Sequence, residues 1–341
     1  MRPFDPKDVQ LVELSNARGD SLQVLTLGAA IKEWNINSQT HGMVNTVLGY
    51  PHQQSYLKDT AYHGAIVGRY CNRIANSSFS IGTQQYQLLS NEGVNHIHGG
   101  PQGFNSRIWN IEESDRQSLT LSLHSPDGDQ GYPGNLDVLL RYTLSDDGAL
   151  DLEWQAHTDL DTMVSLSNHA YFNLAGCGDI RDHSLRIAAS HYTPITADML
   201  PTGEIRPVAG SALDLRNFTG LAQLLDSDEP EITDHGGLDH NWIPDPGGEL
   251  RLCAELLSPR TQLLLQICST LPGLQCYTGN YLPANSIHSC HEGVCLEPQH
   301  YPNSPNEPSF PSPLLRAGET QRHHTRYHIK EVDAGKILAN V

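Results

Sequence analysis

The sequence predicts an all-β protein: one antiparallel β domain spanning residues 1–341, with few short helices. Two observations point there. Apolar and polar residues alternate with period 2 in stretch after stretch, the signature of half-buried strands. Turn formers punctuate them, with 29 glycines and 21 prolines in 341 residues. A third observation removes the main competitor: strands do not alternate with helical patterns, so a Rossmann or TIM architecture is excluded. The length would allow two domains, but all-β units routinely exceed about 200 residues, and no linker, repeat or low-complexity tract divides the chain.

In chain order, strands are expected at 9–14 and 21–27, joined by Asn16-Ala17-Arg18-Gly19-Asp20 as a glycine-containing hairpin. Further strands fall at 118–123, 136–144 and 150–156. The last two are joined by Ser145-Asp146-Asp147-Gly148, whose Asp-Gly step supplies the positive φ of a tight reversal. Segments 185–189 and 263–267 complete the clear cases. Helical pattern is confined to 53–58 and 220–225, too short to form a layer.

Composition narrows the function. Hydrophobic residues make up 38% of the chain, enough for a sizeable core, while 21 Lys+Arg against 39 Asp+Glu give a formal charge of −18. That balance repels phosphate backbones and anionic lipid surfaces, so neither nucleic acid nor membrane is an expected partner. The first residues, Met1 to Asp8, lack the apolar core of a secretory signal, and no apolar run reaches the ~18 residues needed to span a bilayer. A cytoplasmic protein, monomer or weak homodimer, is expected. Seven cysteines, at 71, 177, 253, 268, 276, 290 and 295, include no C-x-x-C pair and read as reduced thiols. Cys290 and Cys295 with His288 or His291 lack the second half of a zinc site.

Several segments carry unusual chemistry. Leu166 to Gly176 packs Asn168, His169, Tyr171 and Asn173 into one strand-like run closed by glycine. In His96-Ile97-His98-Gly99-Gly100 an extended backbone puts both imidazoles on one face. That is also how a metal site begins, yet no acid follows until Glu112; His96 is as well read as a hydrogen-bonded structural residue. Arg69 and Arg73 flank Asn72, and planar guanidinium and carboxamide groups suit vicinal hydroxyls, although one arginine is better read as a surface ion pair. Asp239, behind Gly236-Gly237, either caps a turn or accepts from two adjacent hydroxyls. Gln275 and Tyr277 share a strand face. Glu297 lies before Pro298, where the ladder is expected to stop, and a carboxylate there needs a partner. His98, His169 and Glu297 then form either an acid/base set or a two-His-one-carboxylate metal triad.

These residues resemble a known family. Gly68-Arg69-Tyr70-Cys71-Asn72-Arg73-Ile74, His98-Gly99-Gly100, Asp127 to Gly134, Asn168-His169-Ala170-Tyr171-Phe172-Asn173-Leu174, Leu238-Asp239-His240-Asn241, Gly273 to Asn280 and Leu296-Glu297-Pro298-Gln299 are similar, in order, to the signatures of aldose 1-epimerases (galactose mutarotases), most closely their bacterial members. The resemblance implies a large antiparallel β-sandwich of the galactose-mutarotase type, acting on free aldoses without cofactor or metal. It implies Glu297 as general base, His169 as general acid and His98 assisting at the ring oxygen, with Arg73, Asp239 and Gln275 holding the hexose and Asn72 in support. Departures are small: Cys71 stands where alanine is usual, Asn303 where aspartate is common and Ala317 where proline is common. The rivals are a metal-dependent oxygenase or isomerase on His98, His169 and Glu297, a non-catalytic carbohydrate-binding protein, and a hexose-6-phosphate epimerase, which would need a basic cluster that the chain does not show.

Overall fold

The structure, a computed structural model, describes residues 6–282 and 287–339. Its largest sheet has nine strands in the order Asn110–Ser114, Ser118–Ser125, Leu136–Leu144, Ala149–Thr158, Thr320–Glu331, Leu263–Ser269, Arg251–Ser258, Ser184–Ile187 and Thr219–Gly220. All of its ladders are antiparallel. The period-2 pattern explains why these segments form strands: along Leu136–Leu144 buried residues alternate strictly with exposed ones until the last positions. The hairpin to Ala149–Thr158 closes on Gly148 at φ +87°, as its Asp-Gly step requires. Leu11–Ser15, Ser21–Leu25, Ala30–Ser38 and Gly42–Asn45 form a separate four-stranded meander.

A six-stranded antiparallel sheet packs against the large one, in the order Tyr171–Phe172, Val294–Gln299, Gly273–Tyr277, Asp239–Pro244, Ala189–Thr193 and Arg206–Pro207. Phe172 of this sheet meets Tyr327 of the other with ring centroids 5.6 Å apart, and one apolar cluster holds residues of both, including Leu256, Ile267, Trp242, Leu274 and Leu296. The all-β, sheet-on-sheet expectation is therefore met, and the helical stretches are small: Gln53–Lys58 is a 3-10 helix and Leu221–Leu225 one short α-helix. No helix among the described residues is long and apolar enough to cross a membrane.

Register turns the six-stranded sheet into a platform. Gln275 stands opposite both Glu297 and Asn241, and Tyr277 opposite both Cys295 and Asp239. Directly opposed residues share a face, as do positions two apart on one strand. Glu297, Gln275, Tyr277 and Asp239 therefore project on one side, while Leu296, Leu274, Cys276 and Trp242 project into the core.

Two expectations are corrected. The run at 185–189 is two strands, Ser184–Ile187 in the large sheet and Ala189–Thr193 in the small one. The chain changes sheets at Ala188, whose N–H reaches Cys253 O and whose carbonyl accepts from Asp245 N; the alternation of buried and partly buried residues continues across the switch and hid it. Nor does the ladder stop at Pro298: the strand runs to Gln299, with Pro298 opposite Leu274. On its other edge it pairs with Tyr171–Phe172 only at Cys295 and Val294, and a strand edge lacking a ladder partner tolerates the missing N–H.

Candidate active site

A cavity of about 290 Å³ opens over this platform, lined among others by Tyr62, Asn72, Arg73, Glu92, His98, His169, Tyr171, Asp239, Tyr277 and Glu297. Glu297 is 2% exposed and sits opposite Gln275 of the neighbouring strand. Its polar contacts are long: His169 Nε2 lies 3.8 Å from Oε1, and the Cys71 thiol 3.8 Å from Oε2. A carboxylate buried with so little compensation favours its protonated form. Burial, reinforced by the Asp239 carboxylate, pushes Glu297 well above the usual 4.5.

His169 lies between the two-residue strands Ser167–Asn168 and Tyr171–Phe172, so the expected single strand is two, paired with different partners. Its backbone is pinned by His169 N donating to Ala65 O (2.8 Å) and by Gly64 N donating to His169 O (3.0 Å). Asn168 locks the turn by donating to Gly64 O and accepting from Ala170 N. The ring keeps Nδ1 against the Cys295 sulfur at 3.4 Å and turns Nε2 to Glu297. Burial lowers its pKa from 6.5 to about 4.

His98 is placed by a backbone that the alternation argument missed. Its φ is +52°, outside the strand His96–Ile97, so His96 and His98 do not share a face. Gly99 follows at φ +86°, and a Cβ there would fall 1.7 Å from Gly68 O; only glycine fits. His98 Nδ1 accepts from the backbone N–H of Asn72 at 3.3 Å, and His98 N donates to Asn72 O at 3.2 Å. The ring proton therefore sits on Nε2. Burial, with His169 and Arg73 nearby, keeps His98 neutral, well below 6.5. Asn72 itself has φ +67° and Tyr62 φ +60°, so three cavity residues occupy the left-handed region, at a cost of about 1–3 kcal/mol each that the surrounding fold must offset.

Arg73 donates through Nε and Nη2 to both Glu92 oxygens at 2.7 Å, while Nη1 lies 4.0 Å from Asp239. Asp239 accepts from Gln275 Nε2 at 2.6 Å. Gln275 is buried behind Asp239 and is not part of the cavity lining, so it acts on the space through that carboxylate. Burial raises the Asp239 pKa against the opposing pull of Arg73 and Gln275. The ion pair expected of one arginine falls to Arg73, which meets Glu92 at the cavity mouth but is itself buried. Arg69 is 2% exposed and donates to Pro133 O, Gly134 O and Ser125 O within 3.0 Å, and His96 joins it in the wall, donating to Leu89 O and accepting from the Tyr132 hydroxyl.

The sequence reading missed Glu92, Tyr62 and Tyr281. Tyr62 packs its ring 4.7 Å from His98 and 5.6 Å from His169. Glu92 lay in a segment already notable for its histidines, but Asn91-Glu92-Gly93 reads as an exposed turn.

The metal alternative changes membership. The ligand atoms lying within 4.8 Å of one another belong to Cys71, His98 and Glu297, and His169 is outside this group. His98 is turned from that role, because its Nδ1 accepts from the Asn72 N–H and leaves the proton on Nε2, while the Cys71 thiol donates to Gln299 Oε1 at 2.8 Å.

Fold and site together define an all-β protein with a buried carboxylate–imidazole pair in a small polar cavity. Residues 10–328 match the family described as aldose 1-epimerase. The galactose mutarotase of Sus scrofa is 37% identical over 330 residues, covering 94% of each chain, and the aldose 1-epimerase of Escherichia coli K12 is 33% identical over 334 residues, covering 95% of this chain and 96% of its own. Among solved structures, a galactose 1-epimerase from Lactobacillus acidophilus superposes with TM-score 0.86 at 29% identity, covering 97% of both chains, and an aldose epimerase homologue from C. elegans with TM-score 0.89 at 26% identity, covering 95% of this chain and 99% of its own. This chain belongs to the aldose 1-epimerase family.

Proposed function

We propose that this protein is a mutarotase, an isomerase interconverting the α and β anomers of free hexoses such as D-glucose and D-galactose. The observation that carries this reading is the Glu297–His169 pair, 3.8 Å apart at the floor of a sugar-sized cavity. A cyclic aldose is a hemiacetal. Ring opening requires the C1 hydroxyl proton to leave and the ring oxygen to gain one, so one base and one acid suffice.

In this reading Glu297 takes the C1 hydroxyl proton, the electron pair of that O–H bond forms the aldehyde, and the C1–O5 bond breaks as His169 protonates O5. His98 donates from Nε2 toward the ring oxygen. Rotation about C1–C2 exposes the other carbonyl face, and reversal of both transfers closes the opposite anomer. The pair begins as carboxylate and imidazolium and ends as carboxylic acid and neutral imidazole. Burial favours the latter, pushing Glu297 up and His169 down, and so favours the open-chain stage. Each such proton transfer typically supplies about 10²–10⁴-fold. Arg73 and Asp239 hold hydroxyls, with Gln275 behind Asp239 and Asn72 fixing His98.

We further read residues 1–341 as one domain, monomer or weak homodimer, working in the cytoplasm; seven unpaired thiols suit a reducing compartment. The deciding experiment is polarimetry on freshly dissolved α-D-glucose and on a panel of free and phosphorylated aldoses. A mutarotase speeds the approach to the equilibrium rotation. A sugar-binding protein without turnover leaves the spontaneous rate unchanged, which would end this reading.

A further inference from the structure

We propose that Glu92 restricts the site to uncharged sugars by occupying the face of Arg73 that an anionic sugar would need. This deepens the aldose reading above and rests on it. Among the described residues lining the cavity, Arg73 is the only lysine or arginine. A phosphate or carboxylate is best held by the parallel N–H fork of a guanidinium. Here Nε and Nη2 already donate to the two Glu92 oxygens at 2.7 Å each, the same bidentate geometry that an anionic substituent would adopt. That leaves the end-on edge formed by Nη1 and the second Nη2–H, and Asp239 already stands 4.0 Å from its Nη1, a carboxylate that a neutral hydroxyl tolerates and an anion does not. Glu92 and Asp239 thus face one guanidinium, and an incoming anion meets the repulsion of both.

Glu92 is also the member of this group that can be changed most simply. Its side chain is 36% exposed while that of Arg73 is 9% exposed, so a substitution at the cavity mouth opens no buried void. Glu92→Gln removes the charge while retaining an oxygen that can accept from Arg73, and Glu92→Lys adds a cation.

The test is isothermal titration of parent, Glu92→Gln and Glu92→Lys with glucose, glucose 6-phosphate and galacturonate, with thermal melts to confirm folding and mutarotation of glucose followed on the same samples. The expected result is a rise of about tenfold or more in the affinity for each anionic sugar relative to glucose in Glu92→Gln, more in Glu92→Lys, shrinking as salt is added because the gain is coulombic. An unchanged ratio in both variants overturns the proposal. So does a parallel weakening of all three ligands, which would mean that Glu92 only props Arg73. A parent that binds glucose without interconverting it sinks the mutarotase reading while the affinity ratio still decides the role of Glu92. A parent that binds none of the three sinks both.

Discussion

Arg69 and His96 face the wall behind the cavity; Arg73 and His98, four and two residues further along the chain, face the cavity itself. The wall pair ends on carbonyls and hydroxyls fixed by the fold: Arg69 on Ser125, Pro133 and Gly134, His96 on Leu89 and Tyr132. The cavity pair ends on groups left open on one side, Arg73 on Glu92 near Asp239 and His98 on the Asn72 backbone. Left-handed residues separate the two sets. Asn72 at φ +67° turns the chain between the arginines, and His98 at φ +52° turns it after His96. Residue type announces chemistry, and the turn decides whether that chemistry faces solvent or scaffold.

The comparison breaks first at Arg69. Arg69→Ala orphans the buried carbonyls of Ser125, Pro133 and Gly134, and each unsatisfied buried group costs about 1–3 kcal/mol. Urea unfolding should show that loss, with turnover per folded molecule retained. Arg73→Ala should instead show itself in binding, weakening sugar affinity by about tenfold or more, the worth of a charge-assisted hydrogen bond of about 1.5–3 kcal/mol.

The histidines sharpen it. His96→Phe leaves Leu89 O and the Tyr132 hydroxyl unpaired and should cost about 1–3 kcal/mol in the melt with kcat unaltered. His98→Phe should lower kcat by about 10-fold or more, as the loss of a transition-state donor does. Equal effects of the two on turnover would erase the distinction between wall and face.

A smaller effect follows from protonation. The working pair carries one proton. Because burial lowers His169 to about 4 from 6.5, the second proton binds only in acid, so the acid limb of kcat/KM should lie near 4. Because Glu297 is raised well above 4.5, the shared proton is lost only at a pH well above the ordinary carboxylate range. An acid limb at 6.5, read from polarimetric rates corrected for buffer catalysis, would show that His169 is not the buried acid.

Much of this was legible beforehand for a physical reason: strands with one buried face print their period on the sequence, as Leu136–Leu144 does, and the odd-numbered polar residues of Gln275-Cys276-Tyr277 and Cys295-Leu296-Glu297 mark a sheet with a polar side. What stayed hidden depends on backbone direction or on long-range pairing. Alternation assumed an extended His98. The sheet change at Ala188 leaves the apolar run intact, and Glu92 gains its meaning only when Arg73 is brought to it from another strand.

The most direct test is exchange spectroscopy by NMR on the anomers of glucose with Glu297→Gln, which keeps the shape of the side chain and removes its basicity. The account predicts that sugar still binds while the enzyme-dependent exchange between α and β falls by about 10²–10⁴-fold. Exchange at the parent rate with sugar bound would show that the proton leaves C1 by another route, and Glu297 would lose its place in the reaction.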